Sequence, residues 1–300
     1  MEDLEKNLFY SVHEVRKTRK NKFIKKILYY FFGEIPTLYW RYFMDRKEMR
    51  NALQKEPKNR QVQYPSKIAI IFICAKKYIN FLPKFHITTK KYFLPKTPKD
   101  FFVFTDQLDY PYLSGKKDIK IIPIKFEKWP FITLKKFKLI NKIKKKLMGY
   151  SHIIFFDGDM YINSLISEEE FFSHNKPLFG VQHPNFVRKP GIFERNPLST
   201  AAITNKDDLS IYWQGCFFGG KRDYFLKLSE ELEKRIDKDL ENNFVGNWND
   251  EPHIIKYFIE NKNLVYTFNP SYSYPEKMPI QKPFKKKIIH AHKISKKMQI

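Results

Sequence analysis

Residues 151–163 read SHIIFFDGDMYIN. Ile153, Ile154, Phe155 and Phe156 form a short apolar run of the kind that builds a buried strand, and Asp157, Gly158 and Asp159 follow it at once. Two carboxylates are therefore expected at a strand's carboxyl end. In open α/β sheets ligands bind outside those ends, and an Asp-x-Asp pair there offers hard oxygen ligands to Mg2+ or Mn2+. Gly158 between them allows a diphosphate close to the backbone. An Asp/Gly turn leaving a strand has the same composition, so the pair does not by itself specify a metal site.

Upstream, 67–75 (KIAIIFICA) is a continuous β-branched run suited to a buried parallel strand. A helical or mixed segment over 81–93 precedes a second strand at 100–105 (DFFVFT) and a third at 120–124. Residues 133–150 repeat apolar side chains at Leu134, Phe137, Ile140, Ile143 and Leu147, which predicts one amphipathic helix with lysines on its outer face. This strand–helix alternation predicts an α/β fold with a mostly parallel central sheet flanked by helices. Downstream, 183–197 has the Pro, Gly and Asn content of an ordered loop, and 212–220 (YWQGCFFGG) is apolar but carries three glycines. Residues 223–240 predict the clearest helix, and 248–261 (WNDEPHIIKYFIEN) a loop entering a helix, with Pro252 in its first turn and Asp250 or Glu251 at the cap.

The composition sets the outer limits. The 300 residues are 42% apolar, enough for a substantial core, and 56 Lys+Arg against 32 Asp+Glu leave a net charge of +24. Such a surface attracts polyanions: phosphorylated small molecules, anionic membrane or nucleic acid. The two cysteines, Cys74 and Cys216, lie in apolar runs, which excludes a disulfide framework and fits a reducing compartment. Residues 1–65 form a basic segment interleaved with aromatics and broken at Pro36, expected to be helical and suited either to a membrane surface or to packing on the body. The most lipid-like stretch, 27–32, is too short to span a bilayer, and the start of the chain is acidic rather than signal-like. The expected division is 1–65 as this lead-in, 66–275 as a catalytic domain, and 276–300 as a basic tail that closes over a donor.

The residue types suit a nucleotide-sugar transferase. Asp157 and Asp159 would hold the metal that neutralises a departing diphosphate, and 74–78 would meet the base. The lysine-rich tail, with Lys285, Lys286, Lys287 and Lys293, would cover the phosphates. Glu251, at a helix N-terminus where the dipole favours the ionised form, would be the nucleophile or oxocarbenium stabiliser. Taken singly, Asp250 and Glu251 would be ordinary helix caps, and His183, His253 and Trp248 packing or surface residues.

The ordered set AKKY (75–78), VFTDQ (103–107), FFDGDM (155–160), PLFGVQHPNF (177–186), FERNP (193–197), GCFFGG (215–220) and WNDEPHIIKY (248–257) resembles glycosyltransferase family 6, which includes the histo-blood-group A/B transferases and the α1,3-galactosyltransferase. The resemblance implies a GT-A fold, UDP-galactose or UDP-N-acetylgalactosamine as donor, Mn2+ with Mg2+ as the alternative, and retaining α1,3 transfer to a galactoside. By position it implies Asp157 and Asp159 for the metal, and Cys74, Ala75, Tyr78, Lys136, Gly158, Gln214, Gly215, Cys216 and Asp250 around the donor. It implies His183, Trp248 and Glu251 on the acceptor, and Glu251 as the catalytic carboxylate. Lys136 stands where the family has an arginine, which keeps the charge but not the bidentate geometry. Cys216 is larger than the family's glycine or alanine and leans the expectation toward galactose. Ile192 and Pro275 replace acceptor-side threonine and aspartate, which leaves the acceptor open. Bacterial relatives often carry Asn-x-Asn at the metal position, so Asp157-Gly158-Asp159 predicts metal dependence. The lack of an anchor implies a cytoplasmic bacterial enzyme, peripheral at the inner membrane and acting on glycolipid-linked glycans for surface glycan synthesis. The competing expectation, a basic nucleic-acid-binding protein, finds no recognisable module in the chain.

Overall fold

The computed structural model describes residues 65–187, 190–204, 206–279 and 284–292. The basic lead-in and Lys293 lie outside these residues. The sheet and the candidate site belong to one compact unit, to which residues 185–191 do not belong.

Among the described residues, seven strands form the main sheet in the order β3-β2-β1-β4-β7-β6-β8. The β-branched and aromatic runs supply β1 (Ile68–Ile73), β2 (Lys99–Thr105), β3 (Ile119–Pro123) and β4 (His152–Phe156), all parallel. A second, three-stranded sheet is led by β5 (Met160–Ile162). β6 (Leu178–Gln182) and β8 (Val265–Phe268) flank the other edge of the main sheet as a parallel pair, and β7 (Trp213–Lys221) runs antiparallel to both β4 and β6. The expected mostly parallel sheet is thus present, with one reversed strand inside it.

Helices cover both faces because alternate side chains of the buried strands point to opposite sides. On one face α1 (Leu82–Tyr92) stacks Phe85 on Phe72 of β1, with ring centroids 4.1 Å apart, and meets Phe156 of β4 at 5.2 Å. On the other, Phe155 and Phe218 stack at 5.0 Å and receive Phe137 and Phe225.

The segment 133–150 departs from its expectation. It forms three short helices, α2 (Phe131–Leu134), α3 (Lys136–Lys142) and α4 (Lys144–Leu147), because Lys135 and Ile143 leave the helical region with ψ of 6° and 12°. Leu134, Phe137, Ile140, Ile143 and Leu147 nonetheless all remain buried, so packing has kept the apolar stripe and given up helical continuity. After a single turn, α5 (Glu168–Phe171), the long helix α6 (Arg222–Glu241) follows its periodicity and buries Phe225, Leu228, Leu232 and Ile236. The last helix, α7 (Glu251–Glu260), begins where Pro252 predicts.

The basic tail is partly a strand. β9 (Tyr274–Pro275) and β10 (Ile288–His290) join β5 in the small sheet, where His290 stands opposite Met160. Among the described tail residues, Lys286 Nζ donates to the Glu276 carbonyl at 2.6 Å, Lys287 pairs with Glu170, and the Lys285 backbone amide donates to Ser271 Oγ at 3.0 Å.

Candidate active site

The carboxyl ends of β1 and β4, the start of β7 and the N-terminus of α7 converge on one region. Asp157 leaves β4 with its amide donating to the Cys216 carbonyl at 2.9 Å, and the Met160 amide returns to the Asp157 carbonyl at 3.2 Å. A Cβ on Gly158 would lie 2.5 Å from the Ile73 carbonyl oxygen and 3.3 Å from the Tyr78 ring. The Asp157–Asp159 turn therefore passes against the end of β1, and only glycine fits between them. Gly158→Ala is expected to cost about 2–4 kcal/mol in denaturant unfolding, because neither of two backbone segments can give way; an unchanged midpoint would contradict that contact.

Tyr78 lies in a 3-10 turn that follows Cys74 and Ala75, both buried at the end of β1. This turn is held by Asp106 of the VFTDQ segment, which accepts the Lys76 amide at 2.7 Å and pairs with its ammonium at 3.2 Å. Burial alone would raise the Asp106 pKa, but the Lys76 donors outweigh it and hold it below the usual carboxylate range.

Lys136 is 4% exposed and links two parts of the site: its Nζ is 2.7 Å from Asp250 Oδ2 and 3.8 Å from Asp157 Oδ1, and it lies over the Phe155 ring. Burial opposes its charge, and Asp250 and Asp157 outweigh that and hold its pKa above the usual lysine range. Asp250 is the N-cap residue of α7 yet makes no side-chain capping bond, so simple capping does not account for it.

Both carboxylate oxygens of Glu251 are hydrogen-bonded. Its Oε1 accepts the Tyr212 hydroxyl at 3.0 Å, and its Oε2 accepts the Gly215 amide at 2.8 Å. The expected helix-terminal preference for the ionised form is overridden: burial raises its pKa to about 7, against the lowering effect of the Gly215 and Tyr212 donors. His183, at the end of β6, packs its ring edge-on to Tyr212 with centroids 5.9 Å apart, so it reaches Glu251 through Tyr212. Trp248, three residues before Glu251, is 57% exposed in a left-handed turn. His253 is buried in α7, its amide donating to the Asp250 carbonyl at 3.2 Å and its Nε2 3.5 Å from Asp239.

Two features were missed in the sequence. Tyr212 holds Glu251, and the only hint was its place in an aromatic strand start. His290 of β10 sets its Nδ1 3.6 Å from Asp159 Oδ1 and its Nε2 3.4 Å from Gln214 Nε2. Ser273 Oγ completes this cluster, 2.8 Å from Gln214 Oε1 and 3.0 Å from Cys216 Sγ. The HAHK run of the tail was a visible signal for a histidine with a role, but its partner could not be known without the β5–β10 register.

The chain matches the model of glycosyltransferase family 6 over residues 57–300. It belongs to glycosyltransferase family 6. It is 32% identical to the O-antigen biosynthesis glycosyltransferase WbnI of Escherichia coli over 213 residues, which are 70% of this chain and 88% of that protein. It is 26% identical to the histo-blood group ABO system transferase 1 of Rattus norvegicus and 23% to the globoside alpha-1,3-N-acetylgalactosaminyltransferase 1 of Mus musculus, spanning 62% of each. The α/β architecture is that of a GT-A glycosyltransferase, whose substrates are a nucleotide-sugar donor and a glycan acceptor. No helix among the described residues of this family 6 transferase is long and apolar enough to cross a membrane.

Among the described residues no group of three or more His, Cys, Asp or Glu side chains is placed to hold a metal ion. The residues fit a cation that shares its shell with a diphosphate, since Mg2+-type ions commonly take one or two protein carboxylates plus substrate phosphates. Asp157 and Asp159 would supply that number of hard donors, and Gly158 leaves the backbone between them without a side chain.

Proposed function

We propose that this transferase moves galactose, or N-acetylgalactosamine, from its UDP-sugar to the 3-hydroxyl of a galactoside, fucosylated or plain, in α1,3 linkage with retention. The observation that carries the reading is the pair of donors on Glu251 beside the Lys136–Asp250–Asp157 chain. A carboxylate fixed on both oxygens is pre-aimed, which is what a nucleophile or an oxocarbenium stabiliser requires.

In this reading Tyr78, Cys74 and Ala75 border the base, while Gln214, Gly215, Cys216 and Asp250 border the sugar. Asp157 and Asp159 would hold Mn2+ or Mg2+, which when bound neutralises charge on the departing diphosphate. Lys136 holds Asp250 in place through their 2.7 Å ion pair. His183 and Trp248 border the acceptor galactose, whose 3-hydroxyl would meet the anomeric carbon. Galactose is the preferred sugar, because the Cys216 thiol occupies volume that a glycine would leave open. The site of action is the cytoplasmic face of the membrane, on glycolipid-linked glycans.

The experiment is a transfer and hydrolysis assay with UDP-galactose and UDP-N-acetylgalactosamine, each with 2-fucosyl-galactoside and plain galactoside, in Mn2+ and in EDTA. Turnover of one donor that falls about 100-fold or more in EDTA and returns with Mn2+ is expected, a loss of the size that Lewis-acid assistance supplies. Equal turnover in EDTA would remove the metal role from Asp157 and Asp159. Silence with every donor, in folded protein, would remove the reaction itself.

A further inference from the structure

We propose that Glu194 is a positioning residue for the acceptor side of the site, fixing Trp248 by tying two loops together; this rests on the reading of Trp248 as an acceptor contact. Glu194 lies in the irregular stretch before Ile203 and is only 6% exposed. A buried carboxylate needs a reason, since burying a charge is costly unless it is fully hydrogen-bonded. It has three amide donors. Oε1 accepts the Arg195 and Asn196 amides at 2.9 and 2.8 Å, and Oε2 accepts the Asn247 amide at 3.1 Å. The Glu194 carbonyl also accepts the Ile203 amide at 2.8 Å, which closes its own loop.

The Asn247 contact is the one that leaves the loop, and it lands immediately before Trp248. Trp248 and the next residue, Asn249, are both left-handed, with φ of 68° and 59°. A bulky residue in that region is strained, and two in succession persist only when their surroundings over-determine them. The turn has three such restraints: the Asn249 amide donates to the Gly246 carbonyl at 3.2 Å, the Glu251 amide to the Trp248 carbonyl at 3.2 Å, and the Asn247 amide to Glu194. Gly246 shows how close the two loops are, because a Cβ there would lie 3.0 Å from Glu194 Oε2. The result is an indole held out from the protein three residues before the catalytic carboxylate, where its face can meet the apolar side of a sugar ring. The Glu251 carboxylate itself is held by Tyr212 and Gly215, so its geometry does not pass through Glu194.

Glu194→Gln separates the two tasks. The amide oxygen can keep the Arg195 and Asn196 donors, but the amide nitrogen then faces the Asn247 N–H, donor against donor, and the turn is released. With methyl β-galactoside and 2-fucosyl-galactoside as acceptors, the variant should show an acceptor KM about 10-fold higher, since small displacements of a positioning group cost this much or more. Donor KM and the rate of donor hydrolysis without acceptor should stay within about twofold. Gly246→Ala, which pushes on the same contact, should move acceptor KM in the same direction and covers the case in which Glu194→Gln does not fold. Adding Glu194→Gln to Trp248→Ala should cause little further loss. An unchanged acceptor KM in Glu194→Gln and Gly246→Ala, or hydrolysis falling in parallel with transfer, overturns the proposal. An unchanged acceptor KM in Trp248→Ala alone shows instead that the acceptor reading of Trp248 is at fault, and the proposal falls with it.

Discussion

Glu251→Gln is expected to lower transfer at least about 10³-fold, equivalent to about 4 kcal/mol of lost transition-state stabilisation, while leaving the protein folded. The substitution is unusually clean here. The amide oxygen can take the Gly215 N–H, and the amide nitrogen can donate to the Tyr212 oxygen, so both partners of the carboxylate keep a bond. Only the charge is removed. The same carboxylate gives two pH signatures. In the proposed role the ionised form acts, and burial raises its pKa to about 7, so kcat/KM of the wild type should rise with pH up to about 7 and then level. For stability the sign is opposite. The folded-state pKa lies above the unfolded value near 4.5, so the folded protein binds the extra proton between these limits, and stability falls as pH rises from about 4.5 to about 7. The full shift corresponds to about 3 kcal/mol. Glu251→Gln should abolish that slope and be the more stable protein at pH 8 in urea titrations, although nearly inactive. Near-wild-type turnover would remove Glu251 from catalysis, and an unchanged pH slope of stability would remove its buried charge as the cause.

The strands and the long helix α6 were legible because their signals are local. KIAIIFICA and HIIFF are β-branched and aromatic runs whose burial follows from composition, and Phe225, Leu228, Leu232 and Ile236 keep helical spacing over a length that packing need not interrupt. The 133–150 segment carries an equally good stripe but breaks at Lys135 and Ile143, because tertiary packing rewards burial of the stripe rather than unbroken helix. The site divides in the same way. Asp157, Asp159, Asp250 and Glu251 stand in quoted motifs and Lys136 in the apolar-striped 133–150 segment, and the structure joins Asp157, Lys136 and Asp250 by ion pairs next to Glu251. Tyr212, Ser273 and His290 stand in none of the quoted motifs, and Glu194 stands in FERNP with no role legible from it. What they do is decided by partners remote in the chain: by the register that sets β10 beside β5, by a β7 entry that meets α7, and by a loop that reaches the Asn247 amide. The tail shows this most clearly, for nothing in its sequence announces that His290 sets its Nδ1 3.6 Å from Asp159.

Lys136→Met should destabilise the protein by about 3–5 kcal/mol, the cost of leaving a buried carboxylate without its cation. The Lys136 side chain is 4% exposed and that of Asp250 9%, so water cannot replace the ammonium at Asp250 Oδ2. Asp157, 39% exposed, can recover solvent and adds less. The double substitution Lys136→Met with Asp250→Asn should regain most of that loss, because the neutral amide no longer needs a counter-charge. Measured by urea unfolding as a double-mutant cycle, the coupling energy should be about 3 kcal/mol; additive single effects would show that the pair contributes nothing. Transfer should stay low in the double variant even though stability returns. A buried ion pair is weak evidence of stabilisation, since apolar or neutral replacements often serve as well, and its retention here has to come from what it holds. Asp250 directly precedes Glu251 and borders the same ammonium as Asp157. The pair thus fixes the start of α7 and the end of β4 to one another, and a variant that is stable but slow is the result that separates this role from simple stabilisation.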